Sequence, residues 1–476
     1  MSSYRREDKL HCIPMPEPAA DFDMPPKMLL PRIVSSTPSP HHPYTQLQDA
    51  HLDYCLKSQP WISGPSPPSS RSSSSSFEED NDDDHYPHHD LLAASALADL
   101  NTIASAFPSL RSRATILSMA AWFRLLRLVD ATLETLPCAC ALDRIINANL
   151  IDALRRGCRI GVVKAARPNP LDNFAGGPAR TYREERENAW GCREGGRKRD
   201  ASSSSSSTSS SASSSASSSR APSPPSAAGG LCCCDPHAMA STSRRLRHLT
   251  GVFRAHVQAL LPERAYRRLA AAICNTWAGY VAEANFRESV GSGLSSSSTS
   301  SISRSLLGTY LAVRERTIGV APFFVLLEAD VLPAGHVASG ALKALKQSVT
   351  DVVVLQNDLC GLEPDICEDN VLNFVILASD ELRAVMAGKE VRTAANGRLR
   401  GEEFGMTVQE AVKKGNEGIL RATAMHNNVV EMASRHCEYL VAEMDRENCD
   451  EEAVVANEIL NFVTTHYRWA SQAWDF

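Results

Sequence analysis

The chain has 476 residues and a mass of 51.7 kDa, and 43% of its residues are hydrophobic, close to the average for soluble globular proteins. Its 49 basic and 55 acidic residues give a net charge of −6, which argues against a dedicated DNA- or RNA-binding protein because no global positive field exists. No apolar run approaches the roughly 18 residues that cross a bilayer, so an integral membrane protein is excluded.

Residues 1–27 are predicted to be a tail outside the folded domain. The first residues, MSSYRREDKLHC, contain no apolar stretch of the kind that a secretory signal needs, so a cytoplasmic location is expected. Residues 28–476 are expected to form one domain that low-complexity inserts interrupt. Such inserts are rich in Ser, Pro or charged residues and too poor in apolar groups to form a core, which predicts disorder at about 64–90, 165–245, 289–305 and 387–402.

Between the inserts the chain is predicted to be helical. Apolar residues recur at helical spacing, strand signals are few, and prolines such as Pro262 and Pro322 mark breaks. The expected fold class is therefore all-α, a single-domain helical bundle. The predicted helical blocks are 92–106, 110–136, 246–286, 306–329, 339–360, 371–386, 406–424 and 427–444.

An acidic pair ends the second of these blocks. Asp130 and Glu134, in VDATLE, lie one helical turn apart on one face, and Trp122 and Phe123 precede them as an aromatic wall. Carboxylates on a helix that otherwise faces the core are costly to bury without a partner. A divalent metal is a natural compensation for that cost.

Two arginines precede a helix break in YLAVRERTIGVAPF. Arg314 and Arg316 come shortly before Gly319 and Pro322, and an arginine at such a break can bind phosphate oxygens in a bidentate manner. The alternative interpretation is a surface helix whose Arg-Glu-Arg pattern faces solvent.

The most informative segment is VVVLQNDLCGLEPD. On a helix, Asn357, Gly361 and Asp365 fall at i, i+4 and i+8 and point the same way. An amide oxygen and a carboxylate, with waters between them, suit a hard cation such as Mg2+. Taken alone, such a polar row is more often a solvated helix face.

Together these motifs resemble those of the class I terpene synthases, particularly the fungal sesquiterpene cyclases. In that family one helix carries D-D-x-x-D/E, which VDATLE resembles, and a later helix carries N-D-x-x-S/T/G-x-x-x-E/D, which NDLCGLEPD resembles. Arg314 stands at the place of the family's diphosphate-sensing arginine, and Thr317 follows it. The resemblance covers about residues 28–63, 91–165 and 245–476.

The resemblance implies a Mg2+-dependent lyase with the helical bundle of the family. Its small-molecule substrate would be a prenyl diphosphate, most plausibly farnesyl diphosphate, which it would ionise and cyclise to a sesquiterpene with release of diphosphate. The protein would act as a monomer or homodimer. Asp130 and Arg314 would be catalytic, and Arg314 and Thr317 would bind the diphosphate. Three Mg2+ ions would be held by Asp130, Glu134, Asn357, Gly361 and Asp365.

Aromatic side chains are candidates for the wall of a carbocation pocket, because their π faces attract cations. Phe123 and Tyr310 are the first choices, and Trp277, Tyr280, Phe323 and Phe324 are further ones. Aromatic residues at helical spacing are otherwise ordinary core.

Four positions depart from the family's motifs. Ala131 replaces the second aspartate, Gly361 replaces a hydroxyl ligand, and Pro364 stands within the second motif, where proline inside a helix costs about 3 kcal/mol. Asp475 stands where the family has the arginine of a C-terminal Arg-Tyr pair. These departures leave open an inactive terpene synthase-like protein that acts through partner binding. A prenyl-chain elongating synthase is a third class, but the Asn-led second motif argues against it.

Overall fold

The structure is a computed structural model, and it describes residues 10–14, 27–31, 44–59, 87–133, 139–155, 236–293, 303–386, 408–447 and 450–472. In the first half of the chain, the residues that the structure describes form a β-ribbon and five helices. Their bounds are β1 (Leu10–Pro14), β2 (Lys27–Pro31), α1 (Tyr44–Ser58), α2 (Pro87–Ala106), α3 (Arg113–Leu133), α4 (Ala139–Ile145) and α5 (Asp152–Arg155). A π-helical turn, Ile146–Ile151, joins α4 to α5.

The second half of the described chain is helical. Its longer helices are α6 (Pro236–Leu260), α7 (Glu263–Gly293), α8 (Ser303–Thr317), α9 (Ala321–Val331), α10 (Gly340–Cys360), α15 (Asn416–Glu447) and α16 (Asp450–Gln472). Shorter helices between α10 and α15 are α11 (Leu362–Cys367), α12 (Phe374–Ala378), α13 (380–386) and α14 (Val408–Lys414). The predicted all-α fold class is confirmed.

Helix breaks follow the residues that cannot continue a helix. Pro262 separates α6 from α7, and Pro322 lies in the first turn of α9, where its missing N–H has no helical partner to lose. Two predicted boundaries were wrong. Block 371–386 becomes helical only at Phe374, and α15 runs unbroken through the gap predicted between 424 and 427, because no Gly or Pro interrupts it there.

Helix α10 forms the centre of the bundle. Its N-terminus is capped by Ser339, whose hydroxyl accepts a hydrogen bond from Leu342 N at 3.1 Å. The run Val352–Leu355 is fully buried, and α10 packs against both α15 and α16. Burial on all sides follows from the apolar sequence VVVL, which leaves this stretch no polar face for water.

The β-ribbon is antiparallel, with Leu10 opposite Pro31. Strand β2 packs on α15 and α16, and Met28 and Leu30 are buried in the core. Between them, Leu29 N donates a hydrogen bond to Asn427 Oδ1 on α15 at 2.8 Å. The start of the predicted domain at residue 28 therefore falls inside a strand that is joined to the helical core.

Helices extend into the edges of the predicted inserts. Helix α2 begins at Pro87, α6 at Pro236 and α8 at Ser303, and α7 continues to Gly293. At 236–245, serines near the end of the insert are helical because they directly precede the apolar residues with which the same helix packs into the core. The remainder of the inserts, and most of the predicted tail, lie outside the described residues. Among the described helices, none is both long and apolar enough to cross a membrane.

Candidate active site

A cavity of about 440 Å³ lies between α3, α7, α8, α10 and α16, within the size range of small-molecule sites. Its lining contains charged and amide side chains as well as a group of aromatic ones. Apart from Glu134, which lies outside the described residues, every predicted site residue lines it: Asp130, Arg314, Thr317, Asn357, Gly361 and Asp365. Residues more than 200 positions apart are therefore brought to one cavity.

The first motif contributes Asp130. Burial raises the pKa of Asp130, and its hydrogen bond with Tyr280 acts in the opposite direction. The nearby Glu283 carboxylate on α7 raises the pKa further. Ala131, at the position of the missing aspartate, is exposed to solvent and does not line the cavity.

Helix α7 supplies side chains to which the sequence reasoning gave no polar role. Tyr280, Glu283 and Arg287 all line the cavity, and their spacing of three and four residues places them on one helix face. That spacing is the signal in the sequence from which a shared polar face could have been predicted. A glycine one residue before Tyr280 lets α7 approach α8, because a Cβ at Gly279 would lie only 2.8 Å from Arg316 Cβ.

Arg314 is held by two carboxylates at long hydrogen-bond distances. Its Nη1 donates to Glu283 Oε2 at 3.3 Å, and its Nη2 donates to Asp358 Oδ1 at 3.4 Å. Its Nε is buried and has no hydrogen-bond partner among the described residues. Burial acts to lower the pKa of Arg314, but contacts with Tyr310, Glu283 and Asp358 outweigh it and raise the pKa, so the guanidinium is charged.

Thr317 lies beside Arg314 at the end of α8. Its hydroxyl donates a hydrogen bond to Glu283 Oε2 at 2.7 Å and accepts one from Arg314 Nη1 at 3.4 Å. Beyond it, Gly319 has a φ of 72°, a left-handed conformation that favours glycine and ends the helix. The predicted break after Arg314 is confirmed, and it places the end of α8 at the cavity.

The helix that carries the second motif is interrupted within the motif. Helix α10 ends at Cys360 and α11 begins at Leu362, which corrects the prediction that Asn357, Gly361 and Asp365 lie on one unbroken helix. Pro364 explains the change, because it has no N–H to donate to the carbonyl of Cys360. The helical course nevertheless continues, since Gly361 N donates to Asn357 O at 2.8 Å and Asp365 N donates to Gly361 O at 3.0 Å. Pro364 stands in the first turn of α11, where proline is tolerated.

Asp365 is held by two amides. Asn370 Nδ2 donates to its Oδ1 at 2.7 Å, and Asn373 Nδ2 donates to its Oδ2 at 2.8 Å. Burial nevertheless raises the pKa of Asp365 to about 6, with the Asn373 hydrogen bond opposing that effect. The carboxylate is therefore oriented but its buried charge is not fully compensated.

Asp358, for which the sequence predicted no role, holds Arg314 and the start of α12 in place from within the core. It is 1% exposed, and its Oδ2 accepts hydrogen bonds from Tyr310 at 2.6 Å and Phe374 N at 2.9 Å. Its Oδ1 accepts from Arg314. Tyr310, a predicted cavity-wall residue, instead serves this buried network and does not line the cavity.

An aromatic wall forms another part of the cavity. We define it as Phe123, Phe462, His466 and Trp469, whose rings lie 5.6 to 5.9 Å apart between neighbours. Of the other predicted aromatic residues, Tyr280 and Phe323 line the cavity. Trp277 and Phe324 do not: Trp277 packs against Trp122 in the core, and Phe324 packs edge-on against Phe462.

The donor set suits a hard divalent cation. Asp130 and Asp365 are carboxylates whose pKa values burial raises, and a cation would compensate both charges. Asn357 adds an amide oxygen at the same cavity, whereas Gly361 has no side chain and its carbonyl already accepts a hydrogen bond. The described residues contain one compact His/Cys/Asp/Glu trio, His51, Cys55 and Asp99, and it lies outside this cavity.

Residues 232–386 match the family model for the C-terminal metal-binding domain of terpene synthase family 2. This part of the chain is similar to the metal-binding domain of the terpene synthases. The matched region contains Arg314, Thr317, Asn357, Gly361 and Asp365, whereas Asp130 and Glu134 precede it. The resemblance to class I terpene synthases is thereby confirmed.

Two curated fungal proteins are similar to part of the chain. The Delta(6)-protoilludene synthases of Armillaria gallica and Armillaria ostoyae are each 38% identical over 82 residues, or 17% of this chain. The matched region of the chain spans about a quarter (24%) of the length of each of these relatives. The similarity supports a terpene synthase in general.

Proposed function

We propose that the protein is a Mg2+-dependent terpene cyclase that ionises and cyclises a prenyl diphosphate, farnesyl diphosphate, to a sesquiterpene. The observation that carries this proposal is the cavity that Asp130, Arg314, Asn357 and Asp365 share with an aromatic wall. The similarity of part of the chain to two Delta(6)-protoilludene synthases supports the same reaction class.

The charged lining would bind the diphosphate. Arg314 has a buried Nε with no described partner, and its bonds to Glu283 and Asp358 are long enough to be exchanged for phosphate oxygens. Thr317 offers a hydroxyl next to it. When the carbon–oxygen bond breaks, its electron pair remains on the diphosphate, and Arg314 stabilises this charge more in the transition state than in the ground state.

Asp130, Asn357 and Asp365 would hold the metal, which supplies further positive charge for the diphosphate when it is bound. Glu134 and Gly361 remain proposed members of the set, the latter through a water. The hydrogen bonds from Asn370 and Asn373 orient Asp365 for this task.

The aromatic wall would fold the hydrocarbon chain and shelter its cations. Phe123 and Trp469 line the cavity, and a cation over the face of an aromatic ring is stabilised by about 1 kcal/mol or more. Phe462 and His466 are buried apolar or neutral rings, and a hydrocarbon packed against them would be sheltered from water that quenches the cation early.

Incubation of the purified full-length chain with farnesyl diphosphate and Mg2+ tests the proposal. The organic extract is analysed by gas chromatography, diphosphate release is measured in parallel, and a reaction with chelator is the control. We expect a metal-dependent hydrocarbon or alcohol. A folded protein that is inert with farnesyl, geranyl and geranylgeranyl diphosphates would instead support the inactive relative that Ala131, Pro364 and Asp475 leave open.

A further inference from the structure

A chain of buried hydrogen bonds runs from the β-ribbon to the cavity. Leu29 N donates to Asn427 Oδ1 at 2.8 Å, and His426 Nδ1 lies 3.1 Å from the same oxygen. His426 Nε2 lies 3.3 Å from Gln356 Nε2, and Gln356 Oε1 lies 3.0 Å from His466 Nδ1. The chain thus joins β2, α15, α10 and α16.

The direction of every hydrogen bond in this chain follows from its first donor, the backbone N–H of Leu29. Because a backbone N–H can only donate, the Asn427 atom next to Leu29 must be the oxygen, and His426 Nδ1 must therefore carry a proton. The neutral ring of His426 then has an acceptor at Nε2, which the amide group of Gln356 satisfies. Gln356 consequently presents its oxygen to His466, and His466 Nδ1 must be the donor.

Both imidazoles are neutral, as this reasoning requires. Burial lowers the pKa of His426 to about 4 and that of His466 to about 3. With its proton fixed on Nδ1, His466 keeps a lone pair on Nε2.

His466 belongs to the aromatic wall. Its ring centroid lies 5.9 Å from that of Phe462 and 5.7 Å from that of Trp469. Among the described residues that line the cavity it is the only imidazole, and it stands among hydrophobic rings. Three carboxylates of the cavity, those of Asp130, Glu283 and Asp365, are instead close enough to Arg314 to interact with its charge, and a diphosphate would compete with them for the guanidinium.

We propose that His466 is a catalytic base whose Nε2 accepts the proton that ends the cation cascade, and that it thereby determines which double bond the product carries. Gln356 and His426 act as positioning residues, because they hold the tautomer in which Nε2 is free. This inference rests on the proposed function of the cavity.

The step conserves atoms and charge. A C–H bond next to the cationic carbon breaks, its electron pair becomes the C=C bond of the product, and the proton bonds to Nε2. The resulting imidazolium passes its proton to the diphosphate that ionisation released. A carbocation is a far stronger acid than an imidazolium, so even the weak basicity of buried His466 suffices to accept the proton.

Product analysis of His466→Phe tests the assignment, because phenylalanine fills the ring's space without a lone pair. The quantity measured is the share of the wild-type main hydrocarbon per diphosphate released, which we expect to fall by about tenfold or more. The matched control is His256→Phe. His256 is another histidine whose pKa burial lowers to about 4, but its ring packs against Tyr54 and does not line the cavity, so its variant should keep the wild-type share.

The outcomes separate the two proposals. Wild-type turnover with an unchanged product share in His466→Phe would overturn the role of His466 alone. Absence of diphosphate release from the wild-type protein with every prenyl diphosphate tested would remove the proposed function and this inference with it. His466→Gln is the second variant if the phenylalanine variant does not fold, because its amide can keep the bond to Gln356.

The tautomer can be measured without any activity. In the full-length protein with nitrogen-15-labelled histidine, we expect the His466 resonances to show protonated Nδ1 and unprotonated Nε2, assigned by their loss in His466→Gln. A protonated Nε2 in the free protein would contradict the proposal, because no lone pair would then be available to the substrate.

Discussion

Asp358 is the residue whose replacement best tests how the site is supported. Its carboxylate accepts hydrogen bonds from Tyr310, Phe374 N and Arg314 while almost wholly buried. In Asp358→Asn an NH2 group replaces one oxygen, so it must face either the guanidinium or the pair of donors on the other side. One interaction with a charged or buried donor is lost in either orientation, and Arg314 loses one of its two anionic partners. We therefore expect the free energy of unfolding to fall by about 3 kcal/mol.

Denaturant unfolding at pH 8, followed by circular dichroism, measures this loss. The matched control is Asp53→Asn, since Asp53 pairs with Lys57 at 2.5 Å on the surface, with 59% of the aspartate side chain exposed. An exposed pair contributes about 0–1 kcal/mol, so the control should be nearly as stable as the wild-type protein. If both variants lost the same small amount, the reasoning that Asp358 anchors Arg314 through buried hydrogen bonds would be refuted.

Four further substitutions test other parts of the structure. Asn357→Ala and Asp365→Ala should each abolish turnover of farnesyl diphosphate while the helical circular dichroism is unchanged; normal activity in either would exclude it from the metal site. Burial raises the pKa of Glu458 from 4.5 to about 7, so its charged form destabilises the fold as pH rises through that window. Glu458→Gln should then raise the unfolding free energy by up to about 3 kcal/mol at pH 8 and by little at pH 5, and a pH-independent difference would contradict this. Gly319→Ala should lower the free energy of unfolding by about 1–3 kcal/mol, because φ is 72° and the added Cβ would lie 2.6 Å from Leu126 Cδ2; an unchanged free energy of unfolding would contradict the assigned strain.

Local sequence predicted the helices well because their signals are local. The apolar periodicity of α3 and α10 and the breaks at Pro262 and Pro322 need no knowledge of the rest of the chain. The interruption at Gly361 was not predicted. Proline at position 364 was expected to destabilise one long helix, whereas the chain ends that helix at Cys360 and begins a new one at Leu362.

Contacts between distant segments are what the sequence did not reveal. Leu29 and Asn427 are 398 residues apart, and neither lies in a motif. Asp358 stands beside Asn357 in the second motif, yet helical geometry turns it by about 100° from its neighbour and into the core. Residue spacing alone placed Asn357 correctly but gave no reason to expect that Asp358 binds Tyr310 and Arg314.

The departures from the family's motifs have different consequences once the side chains are located. Ala131 is exposed, so an aspartate there would face away from the described cavity, whereas Asp130 lines it. Glu283 brings a further carboxylate from α7, close enough to Asp130 to raise its pKa. Carboxylates that could supply the negative charge for a divalent cation are therefore present on two different helices, and the proposed site would not depend on a second aspartate in VDATLE. Gly361 is the more serious departure, because a glycine offers no side-chain oxygen between Asn357 and Asp365, and the metal would have to complete its coordination there with water.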